Sequence, residues 1–305
     1  MSLKLDERVA LVTGAARGLG RAEAIALARR GARVVAVDVL DASETVEEIE
    51  RAGGTAVHAR VDLTAGEAAA QEALDAALAA YGDLHVLVNN AGLMRDRMSF
   101  NLSAEDWDLV LAVNLSASFH LARAAARLWR ERRAAGDAQP RAIVSTSSES
   151  GLYGNAGQAN YSAAKAGVAA LTITLATELD RYGVRVNAIA PRARTPMAGE
   201  AFGELPGGDD AHDPFGPEHI AEVVAWLVSD AAADVTGQVL VVHGGGIRVM
   251  QTWTPVREIP RDGAWSDDEL LALRDELFPD DDARRLAEPI GDLFTLPADA
   301  KETVR

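Results

Sequence analysis

Tyr161 and Lys165 stand four residues apart in Gln158-Ala-Asn-Tyr-Ser-Ala-Ala-Lys165. On a helix that spacing puts both side chains on one face. A free phenol ionises near pH 10 and is a poor base at neutral pH. A neighbouring ammonium stabilises the phenolate and lowers that value. Such a tyrosine can exchange a proton with an alcohol or carbonyl oxygen. A Tyr/Lys pair on a helix is common, and alone this one reads as structural. Its company changes the reading. A hydroxyl run, Ser145-Thr-Ser-Ser148, closes one apolar segment. Asn89-Asn-Ala-Gly92 closes another, and Asn114 interrupts an apolar helical stretch.

A second cluster lies near the N-terminus. The apolar run Val9–Thr13 leads into Thr13-Gly-Ala-Ala-Arg-Gly-Leu-Gly20 and then into a helical pattern. Glycines at the start of such a turn let the backbone approach phosphate oxygens, and the helix N-terminus adds N–H donors. The spacing Gly14, Gly18, Gly20 is not G-x-G-x-x-G. The context of strand, turn and helix is still that of a dinucleotide site rather than a simple tight turn. Asp38 ends the second apolar run. A carboxylate there holds both ribose hydroxyls of an adenosine and repels a 2′-phosphate, which favours NAD over NADP. Arg17 in the turn favours the opposite choice, since a guanidinium could hold that phosphate. Asp38 has the more direct position. Its bland reading is a solvated strand end.

These groups need a scaffold. Strand-length apolar runs at 9–13, 33–38, 56–61, 84–89, 141–146, 185–190 and 239–242 alternate with amphipathic stretches. Those stretches, at 19–30, 43–51, 67–80, 103–133, 158–181 and 218–229, read as helices. Continuous rather than alternating apolar strands mean a parallel sheet covered on both faces. The expectation is an α/β fold with a doubly wound, seven-stranded Rossmann-type sheet. Ligands of such sheets lie beyond the C-terminal strand ends. Asp38, Asn89 and Ser148 fall there.

After Gly244-Gly-Gly246 the composition changes, with Trp253, Pro255, Pro260 and Trp265. The chain is therefore read as a catalytic domain over 1–246 and an extension over 247–305. Ser266-Asp-Asp-Glu269 looks like a capping box, followed by a stripe of Leu270, Leu273 and Leu277. One short helix and two tryptophans cannot form a core, so the extension is expected to dock on the main domain or a neighbouring subunit. A sharper reading has part of 247–278 covering the substrate cleft, because the segment 197–217 is rich in glycine and acid.

Composition excludes several classes. The 305 residues carry a formal charge of −16, which argues against nucleic acid and anionic membrane surfaces as partners. A small-molecule substrate is expected. There are no cysteines, so disulfides, thiolate catalysis and zinc–sulfur sites are ruled out. The six histidines show no metal-ligand spacing, so no metal site is expected. No N-terminal signal core and no membrane-length apolar stretch are read, and a cytoplasmic location is expected.

Taken together, these motifs resemble the short-chain dehydrogenase/reductase family over roughly Leu5 to Gly246. The match includes the Thr13–Gly20 turn, Asp62, the Asn89–Gly92 turn, Asn114, Ser148, Tyr161, Lys165 and Thr236-Gly-Gln. The resemblance implies an NAD(P)-dependent oxidoreductase acting on CH–OH groups. Tyr161 would be the general acid/base, with Lys165 lowering its pKa and binding the nicotinamide ribose. Ser148, rather than Ser147, would hold the substrate oxygen, and Asn114 a water in a proton relay. Gly14, Arg17, Gly18, Leu19 and Gly20 would meet the pyrophosphate side of the cofactor. Asp62 and Leu63 would flank adenine, and Asn89, Ala91 and Gly92 would line the cofactor floor. Pro191 and Thr195 would lie at the nicotinamide, with Thr195 on its carboxamide.

The chain also departs from the family. Pro191-Arg-Ala-Arg-Thr195 replaces the usual Pro-Gly, and His243 replaces an Asp before the last glycines. Arg192 and Arg194 read either as surface ion pairs or as contacts to an anionic substrate or the pyrophosphate. His243 reads as structural. The turn after strand six and the tail resemble the hydroxyacyl-CoA dehydrogenase module of peroxisomal multifunctional enzymes. That makes a 3-hydroxyacyl thioester the first substrate expectation. A hydroxysteroid or terpene alcohol is second, and NADPH-dependent reduction of a 3-oxoacyl carrier protein third. The family also implies a homotetramer. A non-catalytic cofactor-binding regulator would lack the tyrosine, lysine or serine, and all three are present.

Overall fold

Seven strands run parallel in the computed structural model: β1 (Val9–Thr13), β2 (Arg33–Asp38), β3 (Thr55–Arg60), β4 (Val86–Asn89), β5 (Arg141–Thr146), β6 (Val184–Pro191) and β7 (Val239–His243). The structure describes residues 2–194 and 213–278, apart from Gly245, Thr252, Val256 and Asp262. These seven strands stand in the order β3-β2-β1-β4-β5-β6-β7, so the winding reverses between β1 and β4. That reversal opens a crevice at the C-terminal strand ends.

The helices are α1 (Gly18–Ala28), α2 (Ser43–Arg51), α3 (Glu67–Tyr81), α4 (Ala104–Leu111), α5 (Ala117–Ala134), α6 (Glu149–Tyr153), α7 (Ala159–Leu179) and α8 (Pro217–Val228). Alternate strand residues point to opposite faces. Ala10 and Val12 of β1 join Ala24, Leu27, Ile220 and Val224 in one apolar layer. Val9 and Leu11 join Ala73, Leu121, Trp129 and Leu175 in the other. The expected parallel α/β sheet is present, and both its faces are covered.

Three features correct the sequence reading. The sheet has an eighth strand, β8 (Gly246–Val249), antiparallel to β7. The chain accordingly divides into compact units Met1–Met250 and Gln251–Arg305, and β8 belongs to the first. Its Ile247, Arg248 and Val249 are exposed, as suits an edge strand, and so lack a buried-strand signature. The helix read over 103–133 is interrupted by a π turn, Ala112–Ser116, between α4 and α5. Its start is as expected, because the Ser103 hydroxyl accepts from Asp106 N at 3.0 Å. Ala104–Ala134 is also long and apolar enough to cross a membrane by length and composition. Leu121, Ala125 and Trp129 account for part of that apolarity by packing into the second layer.

In the second unit, α9 (Asp267–Leu277) opens with the expected capping box. Ser266 N donates to Glu269 Oε2 at 2.8 Å.

Candidate active site

The turn after β1 depends on its glycines. Gly14 and Gly18 have φ of +68° and +57°, a region that other residues enter only with strain. A β-carbon on Gly20 would lie 2.2 Å from the Gly14 carbonyl oxygen, so only glycine lets the first turn of α1 close onto the loop. No side chain caps α1, which leaves the helix N-terminus to donate toward the crevice. Leu19 is buried below it, and Arg17 is exposed just before it.

Asn90, which the sequence reading passes over, braces this turn. Its Nδ2 donates to the Thr13 carbonyl at 3.0 Å. The Thr13 hydroxyl accepts from Asn90 N and Ala91 N, each at 3.0 Å. A doubled asparagine at a strand end was the available signal. Asn89 does something else. Its side chain is buried and donates to the Ser118 carbonyl at 3.4 Å and Ser145 Oγ at 3.3 Å, tying β4 to its neighbours.

Asp38 closes the same crevice from β2. Its Oδ2 accepts from Ala16 N at 3.0 Å and its Oδ1 from Leu40 N at 2.9 Å. The carboxylate is thus held at the mouth of the glycine turn. Asp62 accepts from the Thr64 hydroxyl at 2.7 Å and Thr64 N at 3.0 Å. Those bonds hold its carboxyl below the usual range. Leu63 follows, buried.

The second group gathers at the ends of β4 and β5 and the start of α7. Lys165 is buried, and its Nζ donates to the Thr146 carbonyl at 2.7 Å. That Nζ lies 5.6 Å from the Tyr161 ring centroid. Asn114 sits in the π turn, fully buried, and its Nδ2 donates to the Leu93 carbonyl at 2.8 Å and the Val110 carbonyl at 3.0 Å. Single π turns recur at functional sites because they re-aim a side chain within a helix. Asn114 Oδ1 is buried without a partner among the described residues. A β-carbon on Gly92 would stand 2.7 Å from it and 3.6 Å from Lys165 Nζ, so only glycine lets the β4 turn pass this close to both polar groups. The two serines differ in their surroundings. The Ser147 hydroxyl is buried and donates to the Lys165 carbonyl at 2.8 Å, whereas Ser148 is partly open.

Electrostatics here differ from the simple expectation. Burial pushes the Tyr161 phenol up to about 12, with the neighbouring Ser148 hydroxyl acting in the opposite direction. Burial pushes Lys165 down to about 7. Loss of water favours the neutral form of both groups, and the nearby Asp96 charge also raises the phenol. The phenol is thus biased toward its protonated form and the lysine toward its neutral form.

The two arginines after β6 part company. Arg194 makes the expected surface pair, with Nε 2.8 Å from Asp213 Oδ2. Arg192 is buried instead, and paired with Glu149. Pro191 ends β6 beside Val242. His243 is half-buried at the end of β7, where burial first, then the charges of Arg192 and Arg248, lower its pKa. Thr195 and most of the 197–217 segment lie outside the described residues. Among the described residues no His, Cys, Asp or Glu cluster could hold a metal.

The crevice fits a dinucleotide. Its floor is glycine where β-carbons would collide, a helix N-terminus points into it, and a fixed carboxylate closes its far end. Beside it stand a phenol, an ammonium and a serine hydroxyl. This defines a nicotinamide-dependent oxidoreductase of the α/β class. The chain belongs to the short chain dehydrogenase family, whose profile matches residues 8–204. It is 47% identical over 282 residues to the hydroxyacyl-CoA dehydrogenase ChsB1 of Mycobacterium tuberculosis, covering 89% of each protein. It is 40% identical over 246 residues to the mouse peroxisomal multifunctional enzyme type 2, covering 77% of this chain and 31% of that longer enzyme. A solved structure from Agrobacterium tumefaciens, proposed as a 2-deoxy-D-gluconate 3-dehydrogenase and holding NADP, superposes with a TM-score of 0.70. It is 35% identical and covers 80% of this chain and 97% of that one.

Proposed function

We propose that this protein oxidises the secondary alcohol of a 3-hydroxyacyl thioester, or reduces the matching ketone, with NAD as its cofactor. The observation that carries the substrate class is the likeness to a hydroxyacyl-CoA dehydrogenase across 89% of both chains. The nicotinamide supplies the acceptor or donor of hydride. The remaining work falls to this chain. Ser148 holds the substrate oxygen. Tyr161 takes the alcohol proton in oxidation and returns it in reduction. Asn114, whose Oδ1 is buried without a partner among the described residues, and Lys165 both lie beside Gly92, and a water held by them would carry the proton onward. Lys165, whose pKa burial lowers to about 7, is suited to pass that proton in either direction.

The preference for NAD rests on Asp38, held by two backbone amides at the mouth of the turn. A 2′-phosphate would meet that carboxylate at short range. The second reading, an NADP-dependent reductase, is favoured by exposed Arg17 and by the NADP in the Agrobacterium structure.

Initial rates with NAD and NADP over 3-hydroxyacyl-CoA thioesters, hydroxysteroids, terpene alcohols and 3-oxoacyl carrier protein test both readings. The expected result is the highest kcat/KM for a 3-hydroxyacyl-CoA with NAD. A higher value for 3-oxoacyl carrier protein with NADPH would replace it with the second reading.

A further inference from the structure

Arg192 stands where the family carries a glycine, and its surroundings are unusual for an arginine. It is 5% exposed, as is its partner Glu149. Nε donates to Glu149 Oε2 at 2.6 Å and Nη2 donates to Oε1 at 2.7 Å. Two parallel bonds of this kind fix both side chains in distance and in plane. Stability alone is a weak reason to keep such a pair, because apolar replacements of buried ion pairs are often neutral or stabilising.

What the pair joins is specific. Glu149 opens α6 directly after Ser148, whose hydroxyl caps that helix by accepting from Ser150 N at 3.2 Å. Arg192 directly follows Pro191, and its N donates to the Val242 carbonyl at 2.8 Å. Among the described residues, His243 and Arg248, from β7 and β8, and Tyr153, from α6, lie in the same charged neighbourhood. One buried clamp therefore ties the catalytic edge of β5 to the end of β6 and, through the backbone, to β7.

We infer that Glu149 and Arg192 are positioning residues, and that their ion pair sets the place of Ser148 against Tyr161 and of Pro191 against the nicotinamide end of the crevice. This rests on the roles proposed above for Ser148 and Tyr161. The Ser148 hydroxyl is the group that pulls the phenol pKa down against burial. If Ser148 shifts, that pull weakens, and oxidation needs a higher pH.

The test uses the full chain and three variants: Glu149→Gln, Arg192→Lys and the double variant Glu149→Leu/Arg192→Met. Each is measured for Tm, NADH affinity by fluorescence, kcat, KM and the pH dependence of oxidation. Glu149→Gln and Arg192→Lys are expected to lower kcat by about 10- to 100-fold, the scale on which small misplacements act. Their NADH affinity stays within about twofold, and the pH midpoint for oxidation moves upward. The double variant recovers Tm but not kcat. A kcat that follows Tm through the set, or an unmoved pH midpoint, overturns the inference. Tyr161→Phe run alongside separates the two layers. Near-normal turnover in Tyr161→Phe removes the proposed chemistry itself. An inert Tyr161→Phe beside a fully active Glu149→Gln removes only the clamp.

Discussion

Tyr161 with a phenol near 12 and Lys165 with an ammonium near 7 form a proton pair biased toward neutrality. The protonated phenol is the form that donates in ketone reduction, and its ionised form accepts in alcohol oxidation. The initial rate of oxidation is therefore expected to climb from neutral to alkaline pH, while that of reduction stays nearly flat until the phenol itself begins to ionise. A pH-independent oxidation rate over that range would contradict it. Tyr161→Phe removes the proton path and leaves the crevice intact, so turnover should fall by roughly a thousandfold or more while NAD binding persists. Stopped-flow turnover and NADH fluorescence measure the two separately. At the other end of the site, Asp38→Ala removes a carboxylate that repels a 2′-phosphate and leaves Arg17 in place. The ratio of kcat/KM for NAD over NADP should drop by about tenfold or more. An unchanged ratio would show that Asp38 does not choose the cofactor.

Among the elements, α1 carries a burden its position explains only in part. Glu23 lies fully buried in it, with neither carboxyl oxygen partnered among the described residues. Burial pushes its pKa up to about 8. A carboxyl raised in the folded state binds its proton more tightly there than in the unfolded chain. Stability is then highest below the ordinary glutamate pKa and is lost as pH rises toward 8. Glu23→Gln should leave Tm nearly unchanged at pH 5 and raise it by roughly 5 °C at pH 8.5. Equal Tm values at both pH values would mean the carboxylate has found a partner. Because α1 also presents the glycine turn, the same variant reports whether this charge weakens cofactor binding at high pH. The π turn between α4 and α5 shows the opposite economy. One extra residue in the helix brings Asn114 beside Gly92 while Ser103 and Trp129 keep the flanking segments in register.

At the scale of the molecule, α5 leaves one large apolar side chain in solvent beside the end of α7. Phe119 is 41% exposed, and it lines a groove with Arg123, Leu175 and Tyr182. A second copy seated there would bury an apolar strip flanked by arginines, and we propose assembly as a homotetramer through these helices. Sedimentation should give a species larger than a monomer at micromolar concentration. Phe119→Glu should shift it toward smaller species, and a stable wild-type monomer would refute the proposal. In the extension, Trp253, Leu270 and Leu271 are exposed. The expectation drawn from the sequence, that part of 247–278 covers a substrate cleft, is tested by truncation after Met250, which would raise KM for long acyl thioesters well above its effect on KM for NAD. Equal effects on both would return the extension to a purely structural role.

Much of this was legible along the chain. Apolar runs and their helical intervals report local burial and backbone preference, so they locate seven strands and most helices within a few residues. Residues four apart on a helix, or directly following a strand, share a place whatever the rest of the fold does. Tyr161, Lys165 and Asp38 therefore stand out by spacing and by a strand end, whereas the choice of Ser148 over Ser147 comes from the family resemblance. The edge strand β8 was not, because an exposed strand pairs through its backbone and has no buried pattern to show. The π turn was not, because one added residue leaves helical periodicity almost unchanged. Arg192 was read as surface pairing or an anion contact, since an arginine carries no mark of the partner it will meet. Only the crossing from β5 to β6 sets Glu149 beside it, 43 positions away in the chain. The neutral bias of Tyr161 and Lys165 was likewise invisible, since a shared helix face predicts proximity but not the loss of water. The sequence by itself determined which groups stand at the catalytic edge. The tertiary structure decided which of them are dry, which are paired, and which face one another, because burial and long-range contact are properties of the packed sheet and not of neighbouring residues.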